Sequence, residues 1–286
     1  MAFKQSGIAL IQSLIFSAVI SVMLIYFSSK ASVYTQNAEK SIARTEALLS
    51  TETALADIQF HLLTGSELKP NSGFVNYFGR HFRLENVEVE IQDLHSLIAL
   101  TPFGVYKLRE YLESQNVAPD TVNSIVDSVD DWQDADDLKR IHGAEQGDYT
   151  DIDVRNGTMS DVTELAFIFR KYGVDFDKFQ RDFTIYPVHH FNPLNVPDNM
   201  LRLISSDEQR VSILSKLRET QSLTEADLVR IVGYQFNERD VSSHGNAFRI
   251  TLRSRSDGLG ISQTYEFKFS PYGREPVVLW NYNRGY

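Results

Sequence analysis

IALIQSLIFSAVISVMLIYF, Ile8–Phe27, is a run of 20 residues without a charge. At roughly 1.5 Å of rise per residue it makes a helix of about 30 Å, the depth of a bilayer core. Lys4 flanks it on one side and Lys30 on the other, while Gln12, Ser13, Ser17 and Ser21 interrupt its apolar surface. The stretch sets the plan of the molecule: one N-terminal membrane helix, with a soluble, exported domain behind it. A cleaved secretory signal has a shorter apolar core, about 7–15 residues, with small residues at the cut. Ser29-Lys30-Ala31 matches such a site only weakly, and a plain membrane anchor fits as well.

The residues before the run add a third reading. Met1–Gly7 is a short polar leader that contains Lys4 and ends in Gly7, and a helix-forming stretch begins at once. This resembles the class III leader of type IV pilins and type II secretion pseudopilins. The resemblance implies cleavage after Gly7 by a prepilin peptidase and methylation of the new N-terminus, Ile8. Gln12 would be the fifth residue of the mature chain, where most such proteins carry glutamate.

Residues 31–63 contain neither Gly nor Pro. Ile42, Leu48, Leu49, Leu55, Ile58 and Leu62 recur at spacings of about three, four and seven among Glu39, Lys40, Arg44, Glu46 and Glu52, which predicts an amphipathic helix. Thr64-Gly65 is its stop. The expected element is one long helix, apolar in its first half and amphipathic in its second.

The 286 residues suffice for a large domain or two modest ones, and 42% are hydrophobic. A net charge of -10 argues against nucleic acid as a partner. With no cysteine, disulfide staples, thiolate metal sites and cysteine catalysis are excluded. No phosphate-binding or dinucleotide-binding fingerprint and no nucleophile elbow occurs. His189 and His190 are adjacent in a strand-like segment and point to opposite faces, so they do not pair on a metal.

Val87–Ile91 alternates strictly and predicts a half-buried strand. Helical spacing follows over Pro102–Ser114, from Pro119 through Val129, over Ser160–Tyr172 with Ser160 as N-cap, over Asp175–Asp182, Pro197–Ile204 and Glu208–Arg218, and after a cap-like start at Ser222–Leu228. Strands return at Phe248–Leu252, at Ile261–Phe269 after a turn at Asp257-Gly258, and at Val277–Tyr282. Trp132 and Trp280 are expected in the core, Tyr282 at an edge. The expected class is α+β: a spine helix, a small antiparallel sheet, and a large helical domain inserted after the first strand. The expected boundaries are a leader at 1–7, a transmembrane helix at 8–29, spine and first strand at 30–93, the insertion at 94–235, and the returning strands at 236–286.

Asp127, Asp130, Asp131, Asp134, Asp136 and Asp137 place six carboxylates in eleven residues, and Glu145, Asp148, Asp151 and Asp153 follow. Such density is costly unless solvent or a cation screens it. Hard cations take six to eight oxygen ligands, and the spacing does not match an EF-hand. A solvated acidic loop and a magnesium-dependent hydrolase site, with Lys139, Arg140 and His142 to orient substrate, are the other readings of these residues.

Asp131-Trp132-Gln133-Asp134-Ala135-Asp136-Asp137, followed by Gly143-Ala144-Glu145 and Tyr149, is similar to the signature of the type II secretion minor pseudopilin K family. Asn156-Gly157 with Ser160–Leu165, and Pro193-Leu194-Asn195-Val196-Pro197, resemble later family segments in the same order. Gln12 also agrees, because this family lacks the glutamate at that position. The resemblance implies a pilin-like α/β domain with a SAM-like helical domain inserted. It implies calcium held by Asp134, Asp136, Asp137 and Glu145, with Asp130 and Asp148 as weaker ligands. It also implies a non-enzymatic role at the tip of a periplasmic pseudopilus anchored in the inner membrane. The implied partners are the minor pseudopilins I and J, the other pseudopilins, the inner-membrane secretion platform and prepilin peptidase. Gln92–Leu97 and the Lys139, Arg140 and His142 link depart from the family pattern. A minor pilin of a type IV pilus and a membrane-tethered metal-dependent hydrolase are the alternative functions.

Overall fold

The computed structural model describes residues 6–101, 105–150, 152–256 and 259–285. Most of the expected leader, the start of the helix at Pro102, Asp151 and the Asp257-Gly258 turn lie outside the described residues.

Helix α1 (Ser6–Thr64) runs unbroken for 59 residues. Ile8–Ile42 is exposed throughout, and the helix is long and apolar enough to cross a membrane. Two of the serines that interrupt the apolar run bond backwards: Ser13 donates to the Leu10 carbonyl at 2.9 Å and Ser21 to the Ser17 carbonyl at 2.8 Å. A hydroxyl satisfied within its own helix asks nothing of the lipid. Gly65, at φ 68°, ends the helix in the left-handed conformation, and its N–H returns to the His61 carbonyl at 2.8 Å.

The buried stripe of α1 differs from the one expected. It consists of Ala43, Ala47, Thr51, Ala54, Leu55 and Ile58, whereas Ile42 and Leu49 are more than half exposed. Small residues let the helix lie close to the sheet beside Leu55 and Ile58, while Ile42 and Leu49 point away from it.

That sheet has five antiparallel strands in the order β1 (Phe82–Leu84), β2 (Val87–Asp93), β5 (Ala247–Ser256), β6 (Leu259–Phe269) and β7 (Val277–Gly285). The alternating residues Val87, Val89, Ile91, Phe248, Ile250 and Leu252 are all buried and form one core with α1. Asp93 pairs with Phe248, so the insertion leaves and re-enters the sheet at adjacent points. The opposite face of the sheet is polar, with Arg249 bound to Glu266 at 2.8 Å and Arg253 to Glu90 at 3.1 Å. Trp280 is 45% exposed on edge strand β7, so the expectation that it lies in the core is corrected.

The insertion has its own core, built from α2 (Val105–Ser114), α3 (Pro119–Gln133), α4 (Leu165–Lys171), α5 (Glu208–Leu217) and α6 (Glu225–Val232). A two-strand parallel pair, β3 (Ile98–Ala99) with β4 (Phe183–Thr184), joins distant parts of it, and sequence periodicity did not reveal it. Several expected helices are shorter and tighter. Asp161, not Ser160, caps a 3-10 turn at Val162–Glu164 ahead of α4. Asp175–Asp182 holds two 3-10 turns, and Asp198–Leu203 is 3-10 rather than α. Segments of three to six residues pinned at both ends favour the tighter winding.

The two cores meet at Asp93, which is fully buried. Its Oδ2 accepts from Asn192 Nδ2 at 3.0 Å, Asn195 Nδ2 at 3.1 Å and Gly245 N at 3.1 Å, and its Oδ1 from His95 N at 3.0 Å. Nearby, fully buried Arg218 donates to the Leu194 and Val196 carbonyls at 2.7 and 2.6 Å and lies over the Phe78 ring at 4.6 Å.

Candidate cation-binding loop

Helix α3 presents Val122, Ile125, Val126, Val129 and Trp132 to the core at helical spacing, which leaves Asp127 and Asp130 partly exposed while Asp131 is buried. Asp134 ends the helix, its N–H bonding the Asp130 carbonyl at 3.0 Å. The chain then loops through Ala135–Ala144 to a 3-10 turn at Gln146–Asp148. Trp132 anchors the base of the loop. Its indole N–H donates to Glu164 Oε2 at 2.9 Å, and its ring meets Tyr149 edge-on at 5.5 Å.

Eight carboxylates lie between Asp127 and Asp148, against two permanent cations, Lys139 and Arg140. Arg140 Nη1 reaches Asp131 at 2.6 Å and Asp134 at 2.5 Å, and its Nε lies 3.8 Å from Asp130. The hydrogen bonds it donates to Asp134 and Asp131 raise the guanidinium pKa further. Lys139 binds Asp148 Oδ1 at 2.9 Å and draws that carboxyl below its usual range, while Asp148 Oδ2 accepts the Glu145 N–H at 3.1 Å. His142 meets Asp127 at 3.2 Å. Burial raises the Asp130 pKa against the pull of Arg140.

Three carboxylates have no cationic partner among the described residues: Asp136, Asp137 and Glu145. Asp136 accepts from Leu138 N at 2.9 Å and Asp137 from Asn156 Nδ2 at 3.0 Å. Glu145 stands out because it is only 6% exposed. It leans over the first turn of the 3-10 helix in a capping-box arrangement, yet neither of its oxygens meets a donor at hydrogen-bonding geometry. Burial, and then the charges of Asp131, Asp134, Asp137 and Asp136, push its pKa up. Asp134 Oδ1 and Asn156 Oδ1 are likewise buried without a donor. Orphaned hard oxygens in a field of excess negative charge suit an oxygen-loving divalent cation. The four strong expected ligands thus share one loop; Arg140 already engages Asp134 as well as Asp130, and Lys139 engages Asp148. Among the described residues no three His, Asp or Glu side chains converge into a finished cage.

Sequence reasoning left Asp131 out of the ligand set. It is fully buried, and its carboxylate also accepts the Arg140 N–H at 3.2 Å. A Cβ on Gly143 would come within 1.8 Å of its Oδ2. The glycine was the available signal: a loop that needs Gly there needs something pressed against it.

Residues 89–187 match the family model described as Type II secretion system (T2SS), protein K. Over that stretch the chain is similar to type II secretion protein K. The matched stretch runs from β2 through the protein K-like acidic loop to just past β4. A chain in the crystal structure of the GspK-GspI-GspJ complex from the enterotoxigenic Escherichia coli Type 2 Secretion System shares this fold. Its TM-score is 0.55 at 13% identity, covering 88% of this chain and 98% of that one. The fold is the expected pilin-like one, a long apolar helix on a small antiparallel sheet. No curated protein matches the chain.

Proposed function

We propose that the chain is a minor pseudopilin of a type II protein secretion system, seated at the tip of the periplasmic pseudopilus, where it helps to start assembly. One observation carries this reading: the domain similar to protein K stands on a 59-residue helix whose apolar half is exposed throughout. A bare apolar helix of that length needs lipid, or the helices of neighbouring subunits, around it. The bulky insertion supports a tip position, since it adds a second core where a regular subunit would stack on the next.

On this reading prepilin peptidase cuts after Gly7 and Ile8 becomes the methylated N-terminus. Gln12 fits a subunit with no neighbour above it, because a neutral amide is cheaper to bury than an unpaired carboxylate. The helix holds the chain in the inner membrane, with the C-terminal domain in the periplasm. The partners are minor pseudopilins of the I and J types, the remaining pseudopilins and the secretion platform, and the protein assembles rather than catalyses. Asp134, Asp136, Asp137 and Glu145 would hold calcium, with Asp130 and Asp148 secondary. Bound calcium supplies the positive charge the loop lacks.

The test uses the full chain in a bacterium carrying its secretion genes. Gly7→Asp should leave an unprocessed precursor and stop secretion, and the wild-type chain should co-purify with I-type and J-type pseudopilins. A processed Gly7→Asp chain, or a wild-type chain that recovers neither partner, defeats the reading.

A further inference from the structure

Six of the eight carboxylates in the loop region are Asp127, Asp130, Asp131, Asp134, Asp136 and Asp137, and three of these converge on one side chain. Arg140 touches Asp131 and Asp134 through a single nitrogen, Nη1, and lies beside Asp130 through Nε. Its backbone N–H binds Asp131 as well, so the residue that carries the charge is itself clamped by the group it neutralises. Asp131 is fully buried and wedged against Gly143. A buried carboxylate there needs a cation in every state of the loop. The orphaned oxygens lie elsewhere, on Glu145 and on Asp134 Oδ1, the oxygen that Arg140 does not use.

We propose that Arg140 is a built-in counter-cation, which holds the Asp130, Asp131 and Asp134 side of the loop without metal and leaves a single divalent-ion position at Glu145 and Asp134. The ion at Glu145 rests on the calcium reading above; the role of Arg140 does not. Arginine suits the task because its planar fork serves several carboxylate oxygens from one stem, which lysine cannot do.

The full chain in detergent micelles tests this by native mass spectrometry with calcium and by near-ultraviolet circular dichroism. Trp132 is 2% exposed and packed on Tyr149 at the base of the loop, so its signal reports loop order. The wild type should bind one calcium per chain and keep its Trp132 signal in chelator. Arg140→Gln should lose that signal in chelator, regain it with calcium, and take up a second ion. Arg140→Lys, which keeps a charge, should stay at one ion and keep part of the signal. Two ions on the wild type, or an Arg140→Gln chain that keeps both its signal in chelator and its single ion, overturns the role of Arg140. If neither protein binds calcium, the ion position and the calcium reading fall together, while the loss of the Trp132 signal in Arg140→Gln still upholds the built-in cation.

Discussion

Asp93 closes β2, and Asn192, ninety-nine residues later, donates its side-chain N–H to it at 3.0 Å. One buried carboxylate thus joins the sheet to a distant part of the insertion, with Asn195, Gly245 and the His95 backbone as further donors. Asp93→Ala would leave four donors unanswered in a dry site. The expected cost is about 3–5 kcal/mol, with unfolding in urea split into two transitions, one per core. A single transition within about 1 kcal/mol of wild type would falsify this role.

Glu164 predicts an acid-sensitive step. Burial works to raise its pKa, but hydrogen bonds from Arg155, Trp132 and Ser160 outweigh it and bring the value from 4.5 down to about 2. A carboxyl depressed on folding contributes stability above its unfolded pKa and loses it as pH falls through the folded one. The window is therefore pH 4.5 down to about 2. The side chain is only 12% exposed, so screening is slight, and the contribution at neutral pH is on the order of 3 kcal/mol. Glu164→Gln should lower stability at pH 7 and flatten its decline in that window. Parallel stability curves for the two proteins would contradict this.

Gly143→Ala puts a methyl where Asp131 Oδ2 already sits, 1.8 Å away. Asp131 is held in place because Arg140 donates to its carboxylate from both its backbone N–H and Nη1. The expected loss is about 1–3 kcal/mol, with the Trp132 signal altered as the loop shifts. Gly147→Ala is the control, since nothing lies within 4 Å of a Cβ there. Equal thermal midpoints for the two variants would remove the steric argument.

Ala47→Leu tests the close packing of α1 on the sheet. Ala47 is 2% exposed, and leucine there has to lift the helix. About 1–3 kcal/mol should be lost, whereas Leu49→Ala, at a position 63% exposed, should change thermal stability by under about 0.5 kcal/mol. The reverse ranking would restore the stripe of large aliphatics read from the sequence.

That stripe shows where sequence reading stops. The length and apolar character of Ile8–Phe27, the alternation of Val87–Ile91 and Phe248–Leu252, and the crowding of Asp127–Asp137 are local properties. Helix, strand and charge repulsion act over a few residues, so the plan of the molecule and the place of its acidic loop were legible in one dimension. Which face of α1 is covered is not local. It depends on how near the sheet lies, and Ala43, Ala47 and Ala54 allow a close approach beside Thr51, Leu55 and Ile58. The β3 and β4 pair, two residues each, carried too little pattern to be seen.

In the loop the division is finer. The sequence alone determined that too many carboxylates share one segment, and it named Asp134, Asp136, Asp137 and Glu145 among them. Only the tertiary structure decided how their charges are met. It buried Asp131 against Gly143, spent Lys139 on Asp148 and Arg140 on Asp131 and Asp134, and left Glu145 inside without a donor. Charge is written in the sequence, but its neutralisation depends on distance and dielectric, and folding sets both.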